Sequence, residues 1–263
     1  KAAEIFKSND FTLHTGILDQ KGLTIPSIHP ESQLVYVTPS HQYPLGLVMP
    51  FGRRQELLDW AYEQKGHYII EDDHDSEFRY KGKPIPALQG MDSQGKVIYM
   101  GTFSKAVAPA IRVSYMILPP ALLTAYHQFC GHYSCTVSRL DQAILTCFLR
   151  EGYFEKHVNR MRKIYRGKHD LVLELLKPLI QSEKIHIHGE NAGLHLVLTL
   201  SDGLKEEEII AHAAQSGIRL YGMKEHYLHL TDSAPEAILL GYSNLTEEEI
   251  KEGLNILLSE IPF

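Results

Sequence analysis

The chain has only three cysteines, Cys130, Cys135 and Cys147, so at least one stays unpaired and a disulfide framework is disfavoured. All three fall in or near helix-like segments and are expected to pack as small side chains. No apolar run approaches the length of a membrane span. The N-terminus is polar and lacks a signal-peptide pattern. A long basic block is missing too: 26 Lys and Arg stand against 32 Asp and Glu, for a net charge of −6. This chain alone is therefore not expected to hold nucleic acid electrostatically. There are no internal repeats and no low-complexity tracts. What remains is the composition expected of a cytoplasmic globular protein. A hydrophobic share of 44% over 263 residues is enough to build one large or two small domains.

Strands and helices alternate along the first half. Leu34 to Thr38 is a β-branched run ending at a Ser-His-Gln-Tyr-Pro-Leu-Gly turn. Arg53 to Lys65 reads as a helix, with Leu57, Leu58, Ala61 and Tyr62 on one stripe and Gly66 at the C-terminal cap position. Tyr68–Ile70, Val97–Met100 and Val113–Leu118 read as further strands, apolar on both faces, as in a sheet covered by helices on each side. Ligands on such sheets bind beyond the strand ends, which brings the loops 38–46, 72–75 and 102–105 to one neighbourhood. The second half begins with helical patterns over Val137–Leu149 and Phe154–Leu176, with Pro178 near the end of the latter. From about His186 the pattern is α+β. It comprises a strand Leu194–Leu198, a helix Glu206–Gln215 and strands at Ile218–Tyr221, Tyr227–Leu230 and Ile238–Tyr242. A capping box, Thr246 with Glu249, opens the last helix.

The most informative residue is Lys105. It follows the strand Val97–Met100, with Ser104 and Thr102 one and three positions before it and Arg112 seven after it. An amine placed this way can form a Schiff base with an aldehyde, while the hydroxyls and the guanidinium hold a phosphate. Pyridoxal phosphate carries both groups. The strand at Tyr68 ends in Glu71-Asp72-Asp73, and an acid there can keep a pyridine nitrogen protonated. Alternation lets only one of the three face the ring, and the spacing alone leaves the choice open.

At these residues the chain resembles a known family. Thr102-Phe103-Ser104-Lys105, with Pro109 and Arg112, is similar to the cofactor-lysine motif of fold-type I PLP enzymes. Thr38 to Gly46, Ile70 to Tyr80 and His157 to Tyr165 are similar to three signatures of the aminotransferase-like domain of MocR/GabR-type (GntR family) bacterial transcription regulators. The match runs from about residue 10 to the end. The resemblance implies an α/β fold class, a mostly parallel sheet with one antiparallel strand plus a small C-terminal α+β domain. It divides the chain into a PLP-binding portion 1–150, a bridging helix 151–182 and a small domain 183–263. It further implies that an N-terminal part of the fold, with a phosphate-binding helix N-terminus, precedes Asn9-Asp10-Phe11-Thr12 and is absent here.

The resemblance assigns Lys105 as the Schiff-base lysine, Asp72 as the pyridinium partner and Arg112, Thr102 and Ser104 as phosphate or lysine-side contacts. Tyr43 stands where active aminotransferases carry a ring-contacting asparagine, and His74 where the regulators carry tyrosine. Either is expected to reach the ring oxygen. Leu239 stands where aminotransferases place their α-carboxylate arginine. Arg219, the only arginine after residue 166, is the remaining candidate for an effector contact.

Two readings follow. In one, the chain senses an amino compound, such as an amino acid or γ-aminobutyrate, that replaces Lys105 in its Schiff base. The chain then forms homodimers, and DNA is bound only by a winged-helix domain outside it. The other is a catalytic aminotransferase of the 2-aminoadipate or aromatic type. No metal is expected: His186, His188, His195, His226 and His229 have no Cys or acidic ligand at a typical spacing. The basic run Arg160, Arg162, Lys163, Arg166 and Lys168 reads as a solvated helix face or a domain contact.

Overall fold

A computed structural model describes residues 2–82, 85–201, 203–228 and 234–260. A short helix, α1 (Ala2–Ser8), precedes a two-residue antiparallel pair, β1 (Leu18–Asp19) and β2 (Gly22–Leu23). The first main sheet follows, with strands β3 (Leu34–Val37), β4 (Tyr68–Asp73), β5 (Val97–Thr102) and β6 (Ser114–Ile117) side by side in that order. Strands β3, β4 and β5 are parallel and β6 is antiparallel, as expected. Helix α2 (Phe51–Glu63) links β3 to β4, the single turn α3 (Leu88–Met91) lies between β4 and β5, and α4 (Phe103–Ala106) follows β5 directly. Helices α5 (Pro120–Cys130), α6 (Arg139–Arg150) and the long α7 (Tyr153–Gln181) lead to the C-terminal half.

Register explains which face of this sheet is covered. Val35, Ile69 and Val97 are aligned across the three parallel strands. With Val37 they bury against Leu57, Leu58, Trp60 and Ala61 of α2. The opposite face carries Tyr36, Ile70, Ile98, Met100 and Met116, and among the described residues it is only partly covered: Tyr36 is 37% and Met116 48% exposed. Ile70, Ile98 and Met100 on that face are half-buried, while α2 and α3 pack on the other.

The C-terminal half is an antiparallel sheet of β7 (Ile185–His188), β8 (His195–Leu200), β10 (Ala237–Gly241) and β9 (Tyr221–Gly222), in that spatial order. Helices α7, α8 (Glu206–Gln215) and α9 (Glu247–Glu260) bury Leu176, Ile209 and Leu254 against Leu196, Leu198 and Ile238. The capping box forms reciprocally: Glu249 accepts from the Thr246 amide at 2.7 Å, and Thr246 accepts from the Glu249 amide at 3.1 Å.

Several expectations shift. Helix α7 runs past Leu176 to Gln181 with Pro178 inside it, because its last turn is closed by the Ser182 amide donating to the Pro178 carbonyl at 3.1 Å. The strand expected over Ile218–Tyr221 shrinks to Tyr221–Gly222. Instead of a strand from Tyr227, Lys224–His226 forms a 3-10 turn; positions 229–230 lie outside the described residues. The buried Glu206 carboxylate accepts the amides of Met223, Lys224 and Ala237, which holds this segment in a turn. Cys135 and Cys147 are exposed rather than packed.

The two halves meet through backbone. The Gly193 amide donates to the Phe78 carbonyl at 2.8 Å and the Tyr80 amide to that of Asn191 at 2.9 Å. The Tyr80 and Tyr242 hydroxyls both donate to the Gly193 carbonyl. Arg162 of the basic run on α7 donates to the Glu77 carbonyl at 2.9 Å, which makes it a contact between the halves. Gly193 has φ +84, and a Cβ there would sit 1.9 Å from the His41 ring.

Within the first half, Arg54 is the main tie. It is 1% exposed and donates to the carbonyls of Met49, Pro39 and Pro86, with Glu71 3.6 Å away. Arg54→Met should lower stability by about 3 kcal/mol or more, because three carbonyls lose their donor and Glu71 its countercharge. Urea titration should show a lower midpoint at unchanged slope; a midpoint equal to wild type would refute this account of Arg54.

Candidate functional site

Parallel pairing of β3, β4 and β5 brings their C-terminal ends to one edge, so the loops 38–46, 72–75 and 102–105 are neighbours, as the strand pattern implies. The three acids at the end of β4 separate cleanly. Glu71 is fully buried and accepts the Leu88 and Gln89 amides at the start of α3, each at 2.9 Å. Burial pushes its carboxyl up, opposed by those two amides and by Arg54. Asp73 accepts from the Tyr99 hydroxyl at 2.7 Å and from Ser76. Asp72 lies on the other face of the sheet and accepts a short hydrogen bond from the Tyr36 hydroxyl. Burial, and then that bond, push the Tyr36 hydroxyl well above the ordinary tyrosine range. Asp72 and Asp73 are both half-buried and each accepts from a tyrosine, but on opposite faces of the sheet; Asp72 shares its face with Tyr36 and Met100.

Lys105 lies in α4 and is exposed; its amine makes no hydrogen bond or ion pair among the described residues. Thr102 caps α4, accepting from the Ser104 amide at 3.2 Å and donating to the Val113 carbonyl at 3.2 Å. Arg112 has a left-handed backbone, φ 44, which turns its guanidinium back to the Ser104 hydroxyl and the Pro109 carbonyl, each at 3.5 Å. Those contacts are long, so the guanidinium retains donor capacity toward a further anion.

Tyr43 is 47% exposed and stands edge-on to His74, with ring centres 6.1 Å apart, and to His195 at 5.8 Å. Burial, with Tyr221 nearby, raises the Tyr43 hydroxyl. Arg219 is exposed, its guanidinium 5.0 Å from the Tyr221 ring centre, and it makes no hydrogen bond to the other candidates. Leu239 of β10 packs with Val197, Met223 and Ala237, and Leu45 of the 38–46 loop lies against them.

Four contacts were not assigned from the sequence: Tyr36 on Asp72, Tyr99 on Asp73, the buried His41–Asp75 pair at 2.9 Å, and His195 Nε2 on the Pro44 carbonyl at 2.8 Å. Aligning β3 beside β4 in parallel would have found the first, since Tyr36 pairs with Ile70, two residues before Asp72. The His41–Asp75 contact joins the loops after β3 and β4, and the His195 contact depends on how the halves pack. Burial would raise the Asp75 carboxyl, but the hydrogen bond from His41 and the attraction of His41, His74 and His195 hold it below the usual carboxylate range.

The donor set tests whether pyridoxal phosphate fits. An unengaged amine, a carboxylate on a half-open sheet face, a guanidinium paired with a hydroxyl, and a phenol beside an imidazole match in kind its aldehyde, ring nitrogen, phosphate and ring oxygen. The residues present fit the group.

A parallel sheet with one antiparallel edge strand and a small α+β half define an aminotransferase fold of the fold-type I class. Residues 5–257 match the family aminotransferase class I and II, and the chain belongs to it. It is similar to the HTH-type transcriptional regulator YdeL of Bacillus subtilis, at 42% identity over 98% of this chain and 55% of that protein. It is also similar to the probable rhizopine catabolism regulatory protein MocR of Rhizobium meliloti, at 37% identity over 88% and 46%. The chain spans about half the length of these curated relatives. Among solved structures, the kynurenine aminotransferase of Pyrococcus horikoshii, in complex with PMP, superposes with a TM-score of 0.81 at 27% identity, over 92% of this chain and 61% of that one. No helix among the described residues is long and apolar enough to cross a membrane.

Burial pushes the His195 imidazole down to about 4, with the neighbouring His41 adding to the effect. Its folded value lies below the ordinary one, so the unfolded chain binds the extra proton first. Its contribution is whole above about pH 6.5 and is lost as pH falls toward 4, up to about 3 kcal/mol. Burial pushes Glu77 up to about 7, which acts in the opposite sense over part of this range. The discriminating measurement is therefore a difference between proteins. His195→Gln should melt with a smaller loss of Tm between about pH 7.5 and about pH 5 than wild type does. Equal losses would exclude His195 as the source.

Proposed function

We propose that this chain is the pyridoxal-phosphate-binding, amino-compound-sensing and dimerising part of a bacterial MocR/GabR-type transcription regulator. The observation that carries the sensing reading is Leu239. Where an aminotransferase is expected to hold an arginine for the substrate α-carboxylate, this chain has a leucine packed in an apolar cluster with Leu45 against it. The similarity to curated regulators at 37–42% identity supports the same reading. On this proposal the chain comprises the portions 1–150, 151–182 and 183–263, and DNA is contacted by a winged-helix part outside this sequence.

When bound, pyridoxal phosphate supplies an aldehyde that condenses with amines and a ring that withdraws electrons. Lys105 supplies the protein's own amine. Asp72, oriented by Tyr36, holds a proton at the ring nitrogen. Arg112 and Ser104, with Thr102 fixing the start of α4, take the phosphate. Tyr43 and His74 contact the ring oxygen. Arg219 is the cation available to an anionic effector. An amino-compound effector would compete with the Lys105 amine for the aldehyde, and a Lys105 no longer held there would leave α4 able to shift. The joint between 77–80 and 191–193 is the element whose two arrangements such a shift would bias.

The test begins with PLP and borohydride. Reduction should leave a phosphopyridoxyl mass on Lys105, located by peptide mass spectrometry, and Lys105→Ala should lose both the mark and the visible absorption band. A mark on another lysine would overturn the site. Asp72→Asn should weaken PLP binding by about tenfold, the equivalent of about 1.4 kcal/mol. Adding γ-aminobutyrate or D-alanine should then change the spectrum with little keto product. Sustained turnover with a keto-acid acceptor, on the order of ~10 s⁻¹, would instead establish the aminotransferase reading.

A further inference from the structure

Spacing along the chain gave no metal set, but the fold assembles one from residues more than thirty positions apart. His41 follows β3 and Asp75 follows β4; their side chains are 0% and 4% exposed, with Nδ1 2.9 Å from Oδ2. His74 adds a second imidazole, its Nε2 3.5 Å from Asp75 Oδ1. One ligand atom from each of the three lies within 4.8 Å of the other two. Of the atoms in this group, His74 Nε2 and Asp75 Oδ1 are buried without a hydrogen-bond partner. Two such atoms on neighbouring side chains are an unusual concentration, since buried polar atoms are nearly always satisfied by protein, water or an ion.

We propose that His41, His74 and Asp75 bind a divalent transition-metal ion of the zinc type. Two imidazoles and one carboxylate form a common three-ligand set that leaves a further position open. Nitrogen and oxygen ligands at about 2.0–2.2 Å from zinc stand roughly 3.3 Å apart in a tetrahedron. The imidazoles approach the two oxygens of Asp75 at 2.9 Å (Oδ2) and 3.5 Å (Oδ1), and one ligand atom of each residue lies within 4.8 Å of the others, so ligation draws the three side chains together. Entry at His41 Nδ1 replaces its contact with Asp75 Oδ2 and leaves the ring proton on Nε2. His74, 23% exposed, provides the open side of the site. The metal uses the same imidazole that contacts the ring oxygen under the proposed function, so the two uses of His74 exclude one another. Because the His41 ring packs on Gly193, a bound ion also braces the joint between the halves.

The metal test stands apart from the cofactor reading because it uses the chain without pyridoxal phosphate. His14, His29 and Glu31 form a second, exposed group with ligand atoms close together, so the parent protein for the assay carries His14→Gln. Calorimetry with Zn²⁺ should give one equivalent bound, Co²⁺ should produce visible ligand-field bands, and Tm should rise with either ion. His74→Tyr, at a partly exposed position, and the isosteric Asp75→Asn should each weaken binding at least tenfold and abolish the bands while the far-UV circular dichroism is unchanged. Water in place of a metal predicts no bands and no stoichiometric binding, and that result would overturn the proposal. Binding that persists unchanged in both variants would overturn it as well.

Discussion

The candidate site depends on Glu71 pointing inward. Neighbouring residues on a strand face opposite ways, so once Glu71 is committed to the interior, Asp72 must face the other side of the sheet. What commits Glu71 is a closed set of partners: two amides at the start of α3 and the Arg54 guanidinium. Arg54 in turn holds the carbonyls of Pro39 and Met49, near the two ends of the 38–46 loop. One buried ion pair therefore removes Glu71 from the site, turns Asp72 to the other face, and ties down the Tyr43-bearing loop. The local sheet register adds Tyr36 as the side chain that orients Asp72.

Much of this was legible in the sequence because it is local. The helix over α2 follows from Leu57, Leu58 and Ala61 on one stripe, and the parallel strands follow from short β-branched runs separated by helix-forming segments. The neighbourhood of the three loops follows from parallel topology alone. The choice among Glu71, Asp72 and Asp73 needed the identity of the partners on each face. The turn at Lys224–His226 was missed because it is set by Glu206, a carboxylate seventeen to thirty-one residues away from the amides it accepts. The His41–Asp75 pair went unassigned for the same reason. Each residue was visible in its segment, but the thirty-four positions between them hid the contact. Coverage of the second sheet face could not be read either, since an apolar alternation does not name the element that lies upon it.

The relation between the two readings of activity turns on one exchange of chemistry. An arginine at the position of Leu239 would bring a charge into the cluster of Val197, Met223 and Ala237. The leucine keeps that cluster dry and packs it toward the 38–46 loop. Without that charge, the two-point grip on a carboxylate that fixes an amino acid for proton transfer has no cation at this position.

The meeting of Gly46 with Gly189 has a consequence for inheritance. A methyl group on Gly46 would lie 2.5 Å from the Gly189 Cα, so Gly46 cannot acquire a side chain unless the facing loop retreats, and a Cβ on Gly189, itself at φ +85, would press on Gly46 at 3.3 Å. The two loops are thus mutually constrained across a long span of sequence. Chimaeras that take one loop from a relative and leave the other behind would inherit a mismatch at the seam, and recombination within this family should be tolerated best where both loops travel together.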